Sequence, residues 1–197
     1  MLTRRTWLQM NAALLTLPLA SRVAAGVAGP QRPRLAGRVF FDDRVRDCTV
    51  FADHAGKAGA ATRSVGDDIT ARAYEALKTT LASESGIIAG LTPEPMAFLF
   101  EVMARDVRRY QVFRGDHYYS GGKLFGHRFK APLHLLKENF PLPGIHGYWT
   151  GDLVDIMSRY DPAAISPATS TTWLSGDHVP QHDFKLVSWV IAPLPGE

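Results

Sequence analysis

Polar side chains follow the predicted strands of the first half of the chain, at the point where each strand ends. These positions are occupied by Asp42-Asp43, Asp67-Asp68, Thr92 and Asp116-His117. In an open parallel sheet the ligand crevice lies outside the carboxyl ends of the strands, so these groups are expected along one rim. Carboxylates that lie close together raise one another's pKa or bind a cation. The candidates for ligand binding are therefore Asp42, Asp67, Thr92, Asp116 and His117.

Helix capping is the alternative role for the polar residues at these strand ends. Asp43, Asp68 and Thr92 each come just before a predicted helix. Asp and Thr are preferred N-cap residues because their side-chain oxygens accept hydrogen bonds from the first turn. Capping explains three other acidic residues of the rim less well: Asp42, Asp67 and Asp116.

A second cluster of ionisable side chains lies within residues 177–183. It supplies Asp177, His178 and His182, which are ligand types for a metal such as zinc. Pro180 prevents the two histidines from sharing one face of a regular helix, so their four-residue spacing loses its usual meaning. An exposed turn before the last strand is the alternative interpretation.

Standard cofactor and catalytic motifs are missing from the sequence. Residues 121–127 are rich in glycine, but Leu124 follows Lys123 where a phosphate-binding P-loop requires Ser or Thr. No G-x-G-x-x-G follows the first strand, and no G-x-S-x-G nucleophile motif is present. Cys48 is the single cysteine, which excludes an intrachain disulfide and a multi-thiolate metal centre. The sequence leaves both cofactor and substrate unassigned.

Four apolar segments in the first half have the character of strands. They lie near residues 37–41, 61–65, 86–91 and 109–114. Segments with apolar residues at helical spacing separate them. This alternation predicts parallel strands joined by right-handed crossovers, and therefore a three-layer α/β fold with a mainly parallel sheet.

The second half is richer in glycine and proline, which predicts a loop-rich region. Short helices are expected near residues 132–138 and 151–160. The apolar run near residues 184–191 predicts a final strand, which we expect at an antiparallel edge of the sheet. A chain of this length has room for one core, so residues 37–197 are interpreted as a single domain.

The first 28 residues have the layout of a secretory leader. Arg4 and Arg5 precede an apolar run, and small residues follow it. The run is shorter than the ~20 helical residues that span a bilayer. The arginine pair, preceded by Thr3 and followed by Trp7-Leu8, resembles a twin-arginine (Tat) leader. That resemblance implies that the Tat translocase carries the folded chain to the bacterial periplasm, with no stable membrane span after cleavage.

The net charge of +3 comes from this leader. Three of the 22 basic residues and none of the 19 acidic residues lie within residues 1–28. The remainder is formally neutral, so its charge does not predict nucleic-acid binding. Residues 29–36, which contain Pro30 and Pro33, are predicted to form an extended tether.

Two functions of different class fit these observations. The first is an exported protein without catalytic activity that binds a small ligand or accompanies a periplasmic redox enzyme. It is favoured because Tat passengers are often cofactor enzymes or their companions, while every cofactor motif tested is missing. The second is a metal-assisted hydrolase that uses Asp42, Asp67, Asp116 and His117, with His178 or His182 as further ligands.

Overall fold

Strands and helices alternate along the described residues up to a long fourth strand, which forms a hairpin with the fifth. The structure is a computed structural model, and it describes Leu35 and residues 37–66, 70–137, 149–161, 168–174 and 183–193. They belong to one compact unit, Pro33–Glu197. The strands are β1 (Arg38–Phe41), β2 (Ala61–Ser64), β3 (Ile88–Pro93), β4 (Arg109–Ser120), β5 (Lys123–Pro132), β6 (Ala168–Leu174) and β7 (Phe184–Pro193). The helices are α1 (Arg46–Lys57), α2 (Ala71–Ser83), α3 (Glu94–Asp106), α4 (Leu133–Lys137) and α5 (Trp149–Ser158).

The strands form one seven-stranded mixed sheet in the order β2-β1-β3-β7-β4-β5-β6. β1 pairs in parallel with β2 and with β3, while the four remaining pairings are antiparallel. The expectation of a mainly parallel sheet is therefore wrong. β4 runs in the same direction as β3, but β7 lies between them and pairs with both in the opposite direction.

The position of β7 corrects a second expectation. This strand lies in the middle of the sheet, between β3 and β4, and not at an edge. Val187, Ser188, Trp189 and Val190 are all fully buried, so side chains on both faces of the strand are covered. A near-continuous apolar run is typical of a strand with that environment.

The region after residue 114 also contains more strand than the sequence predicts. β4 continues to Ser120, and β5 follows after the two residues Gly121 and Gly122. Both glycines have positive φ, 56° and 73°, which is the requirement of a type I′ hairpin turn. The glycines of this segment therefore close a hairpin, and the loop-rich interpretation is wrong for residues 115–132.

Helices pack against both faces of the sheet. On the first face, Val39 of β1 and Val190 of β7 share a core with Phe51 of α1 and Leu153 of α5. On the second face, Phe40 and Trp189 share a core with Phe100 of α3, and Leu81 of α2 belongs to the same cluster. The ring centroids of Phe100 and Trp189 are 4.5 Å apart. Adjacent residues enter opposite cores because side chains alternate along a strand.

Local sequence chemistry explains the ends of two helices. Thr70 caps α2, where its hydroxyl accepts a hydrogen bond from the Ala73 amide at 3.2 Å. α3 begins after Pro93, with a further proline in its first turn, where a missing N–H costs no helical hydrogen bond. Among the described residues, no helix is long and apolar enough to cross a membrane.

Candidate functional site

The strand order creates a switch point between β1 and β3. From the carboxyl end of β1 the chain passes over the first face through α1 to β2, and from the carboxyl end of β3 it passes over the second face through α3 to β4, on the other side of the sheet. In open α/β sheets, ligands bind at the carboxyl ends of strands whose connections diverge in this way. A ligand site is therefore expected at the carboxyl ends of β1, β2 and β3.

The register places three of the predicted site residues at one level of the sheet. Phe41 pairs with Leu91, so Asp42 and Thr92 follow at the same level. Thr92 and Asp116 both pair with Val187, from opposite sides of β7. The backbones of Asp42 and Asp116 are separated by three strand spacings, or about 14 Å. Asp116 also lies within β4 and not at its end, so the two carboxylates do not converge on one ion.

Asp42 is held by an arginine two residues later. Its Oδ1 accepts hydrogen bonds from the Arg44 backbone N–H at 3.0 Å and from Nε at 2.9 Å, and its Oδ2 accepts one from Nη2 at 2.7 Å. The side-chain hydrogen bonds from Arg44 are the main cause of the lowered pKa of the Asp42 carboxyl. The buried carboxylate is thus charged and fixed in the turn that leads into α1.

Thr92 and Asp43 are not helix caps. The Thr92 hydroxyl accepts a hydrogen bond from the indole Nε1 of Trp189 at 3.2 Å, and both residues are buried. Pro93 occupies the N-cap of α3, and Val45 occupies the N-cap of α1. The capping interpretation is therefore wrong for these two positions, because β3 extends to Pro93 and α1 begins later than predicted.

Asp116 belongs to a charged network on the second face. Its Oδ1 lies 2.9 Å from Nη2 of Arg114 and 3.9 Å from Nζ of Lys185. Lys185 also pairs with Glu94 at the start of α3, at 2.5 Å. Two cations thus compensate the carboxylate, which reduces its ability to bind a metal ion.

His117 points to the first face, where it forms a buried chain of hydrogen bonds. Its Nδ1 lies 2.7 Å from Nδ1 of His127 on β5, and its Nε2 lies 2.9 Å from Oγ of Ser188 on β7. The Trp149 ring covers the pair, with centroids 4.5 Å from His117 and 5.4 Å from His127. Among the described residues, His127 Nε2 has no hydrogen-bond partner.

Burial keeps both imidazoles neutral. Desolvation lowers the pKa of His117 well below 6.5 and lowers that of His127 to about 4. Because both rings are neutral, the Nδ1–H of one ring must donate a hydrogen bond to the unprotonated Nδ1 of the other. The arrangement of Ser188, His117 and His127 provides the spacing of an activated serine. However, all three side chains are buried, so no substrate reaches the hydroxyl in this conformation.

A cavity of about 150 Å³ opens at the carboxyl end of β2, on the second face. It is lined by Arg63, Ser64, Val65, Gly66, Ala73, Leu77 and Met96. The first four residues complete β2 and the segment after it, while the others come from α2 and the first turn of α3. The Val65 amide donates to Phe41 O at 2.8 Å, which extends the parallel ladder to the mouth of the cavity.

Sequence reasoning did not identify His127, Ser188 or Arg63. The two glycines between β4 and β5 could have indicated that His117 and His127 face each other across a hairpin. No local pattern indicates Arg63, because the cavity exists only through the packing of α2 and α3 against β2.

Several predicted residues lie outside the described part of the chain. They are Arg4, Arg5, Asp67, Asp177, His178 and His182. Their roles in export, ligand binding and metal binding stay predictions. Within the described ranges, no group of three or more His, Cys, Asp or Glu side chains could hold a metal ion.

Comparison of the chain with protein-family models, with curated proteins and with solved structures finds no significant match.

Proposed function

We propose that this chain is a Tat-exported periplasmic protein that binds a small ligand and is not an enzyme. The observation that carries the proposal is the cavity at the carboxyl end of β2, beside the switch point between β1 and β3. A volume of about 150 Å³ is below the 300–1,000 Å³ typical of sites for drug-sized ligands, so the occupant is a small molecule.

The fold supports this choice of site. The three-layer α/β interpretation is part of the proposal, with parallel β2, β1 and β3 as the end of the sheet that binds the ligand. In such sheets the loops after the strands supply the binding groups, while the strands and helices hold them rigid.

The charged residues give less support to a metal-assisted hydrolase. Asp42 is bonded to Arg44, and Asp116 is paired with Arg114 and Lys185. The buried hydroxyl of Ser188 is inaccessible to a substrate. A companion of a redox enzyme would present a docking surface, whereas the cavity at the carboxyl end of β2 favours binding of a small ligand.

Thermal melts of the purified chain test the proposal. The probes are small organic acids, amides, amines and sugars, with Mg²⁺, Ca²⁺ and Zn²⁺ in a separate set. Ala73→Phe places a large side chain in the cavity, and Ala82→Phe places one at an exposed position of the same helix as the control.

The expected result is that at least one organic probe raises the Tm of the wild type and of Ala82→Phe but not that of Ala73→Phe. The proposal fails if no organic probe raises the Tm, or if Ala73→Phe responds like the wild type. Stabilisation by a divalent ion alone would contradict it and favour the hydrolase.

A further inference from the structure

We propose that the ligand of this cavity is a short-chain carboxylate, whose charged group is bound by Arg63; this inference rests on the function proposed above. The chemistry of the cavity has two parts. Arg63 supplies a cation, while Val65, Leu77 and Met96 supply apolar surface. A molecule with one anionic end and a short apolar tail matches both.

The guanidinium of Arg63 has unused binding capacity. Its Nη1 donates to the Thr80 hydroxyl at 3.2 Å, a neutral acceptor. Within the described residues, no salt bridge joins Arg63 to a carboxylate, whereas Arg38, Arg44, Arg105 and Arg114 each have at least one. A guanidinium carries five N–H donors, and it can bind a carboxylate through two parallel hydrogen bonds.

The surrounding backbone also favours an anion. Ala73 and Met96 line the cavity from the first turns of α2 and α3. The amino-terminal end of a helix has a positive potential, which stabilises a nearby negative charge. These two helix ends strengthen an attraction that the Arg63 side chain supplies.

The apolar lining and the volume limit the size of the ligand. The cavity has room for several water molecules at about 30 Å³ each, which corresponds to a molecule of a few heavy atoms. Inorganic phosphate would leave oxygens facing Leu77 and Met96 without partners, at a cost in free energy. The apolar surface instead favours a hydrocarbon tail.

Isothermal titration of the full chain with matched probes tests the inference. The probes are propionate, propionamide and propylamine, which have a similar size and shape and differ in charge, together with inorganic phosphate. The variants are Arg63→Gln, Arg63→Lys and the control Arg72→Gln, an exposed arginine of α2 outside the cavity lining.

We expect propionate to bind and the other three probes to bind at least tenfold more weakly. Arg63→Gln should weaken propionate binding by about tenfold to a hundredfold, because a charge-assisted pair is lost. Arg63→Lys should retain part of the affinity, since it keeps the charge but not the fork geometry. Arg72→Gln should bind propionate like the wild type.

Other outcomes separate the two proposals. If propionamide or propylamine binds as well as propionate, and Ala73→Phe prevents it, the small-ligand function stands and the carboxylate inference is wrong. Tighter binding of phosphate than of propionate would also overturn the inference. If none of these probes binds, the carboxylate inference is wrong, while the wider panel of compounds still decides the small-ligand function.

Discussion

His117 and His127 face each other across the β4–β5 hairpin, with their Nδ1 atoms 2.7 Å apart. The pair lies beneath Trp149 and is joined through the second nitrogen of His117 to Ser188. The Ser188 hydroxyl can donate in turn to Gly115 O at 3.4 Å, so this chain of hydrogen bonds joins two imidazoles, a hydroxyl and a carbonyl, while His127 Nε2 has no partner among the described residues. A buried network of this kind stabilises the fold only while the rings stay neutral.

This pair should make the protein sensitive to acid. Folding lowers the pKa of both rings below the 6.5 of an unfolded histidine, and that of His127 falls to about 4. The unfolded state therefore binds more protons between these values, so stability is full above pH 6.5 and decreases as the pH falls toward 4. His127 alone accounts for roughly 3 kcal/mol.

Urea unfolding between pH 7.5 and pH 4.5, with NMR titration of the imidazole protons, checks this prediction. In the folded protein His127 should remain neutral down to about pH 5, and His117 should remain neutral well below pH 6.5. Titration of His117 or His127 near pH 6.5 would mean that the pair is accessible to water.

Substitution by alanine should affect stability differently at Gly86, just before β3, and at Gly90, within β3. A Cβ on Gly90 would lie 2.3 Å from the Trp189 ring and 2.8 Å from Phe40 O, whereas one on Gly86 would meet nothing within 4 Å. Gly90→Ala should therefore lower the free energy of unfolding by about 1–3 kcal/mol through overpacking. Gly86→Ala should change it by less than about 0.5 kcal/mol. Chemical denaturation of the two variants provides the comparison, and equal effects would refute the close packing of Trp189 on β3.

Asp42 should behave as a structural carboxylate. Asp42→Asn removes the charge that binds Arg44, so it should lower the free energy of unfolding by roughly 1–2 kcal/mol, with Arg44 half exposed. The exposed neighbour supplies the control, because Asp43→Asn should be nearly neutral. Thermal melts with and without Mg²⁺, Ca²⁺ or Zn²⁺ give the measurement. A higher Tm for Asp42→Asn, or metal stabilisation that the variant loses, would instead indicate a cation site.

The export prediction concerns the leader. Replacing Arg4 and Arg5 together by lysine should leave the precursor in the cytoplasm, because the translocase recognises the arginine pair as an address. Cell fractionation and the size of the accumulated chain report the result. Replacing Arg22 alone by lysine is the matched control and should leave export intact. Normal processing of the double variant would show that export does not use the Tat route.

The local part of the fold was predictable from the sequence, and the position of β7 was not. Apolar spacing indicates β1 to β4 and the helices between them, because periodicity is a property of neighbouring residues. The place of Phe184–Pro193 in the sheet depends on pairing with residues 65 to 103 positions away. Nothing in a strand's own sequence specifies that neighbour, although apolar residues on both of its faces indicate burial.

The candidate site was predictable only in part, for a related reason. The sequence indicates that Asp42 follows β1 and that Thr92 lies near the end of β3, but it does not indicate that Asp116 lies within β4. Side-chain partners then decide what each group can do. Asp42 accepts hydrogen bonds from the arginine two residues later, and Thr92 accepts one from the indole of Trp189. Both side chains therefore stabilise the fold. Arg63 lines a cavity only because α2 and α3 pack beside it, and its neighbours in the sequence do not indicate that packing.

The most direct measurement is a ¹H–¹⁵N NMR titration of the chain with propionate and, separately, with propionamide. A probe that binds in the cavity should cause saturable shifts of the Val65, Gly66 and Ala73 amides, which border it. The carboxylate inference predicts that propionate, rather than propionamide, causes these shifts. Saturable shifts elsewhere, with none at these amides for either probe, would contradict the proposal that this cavity is the binding site.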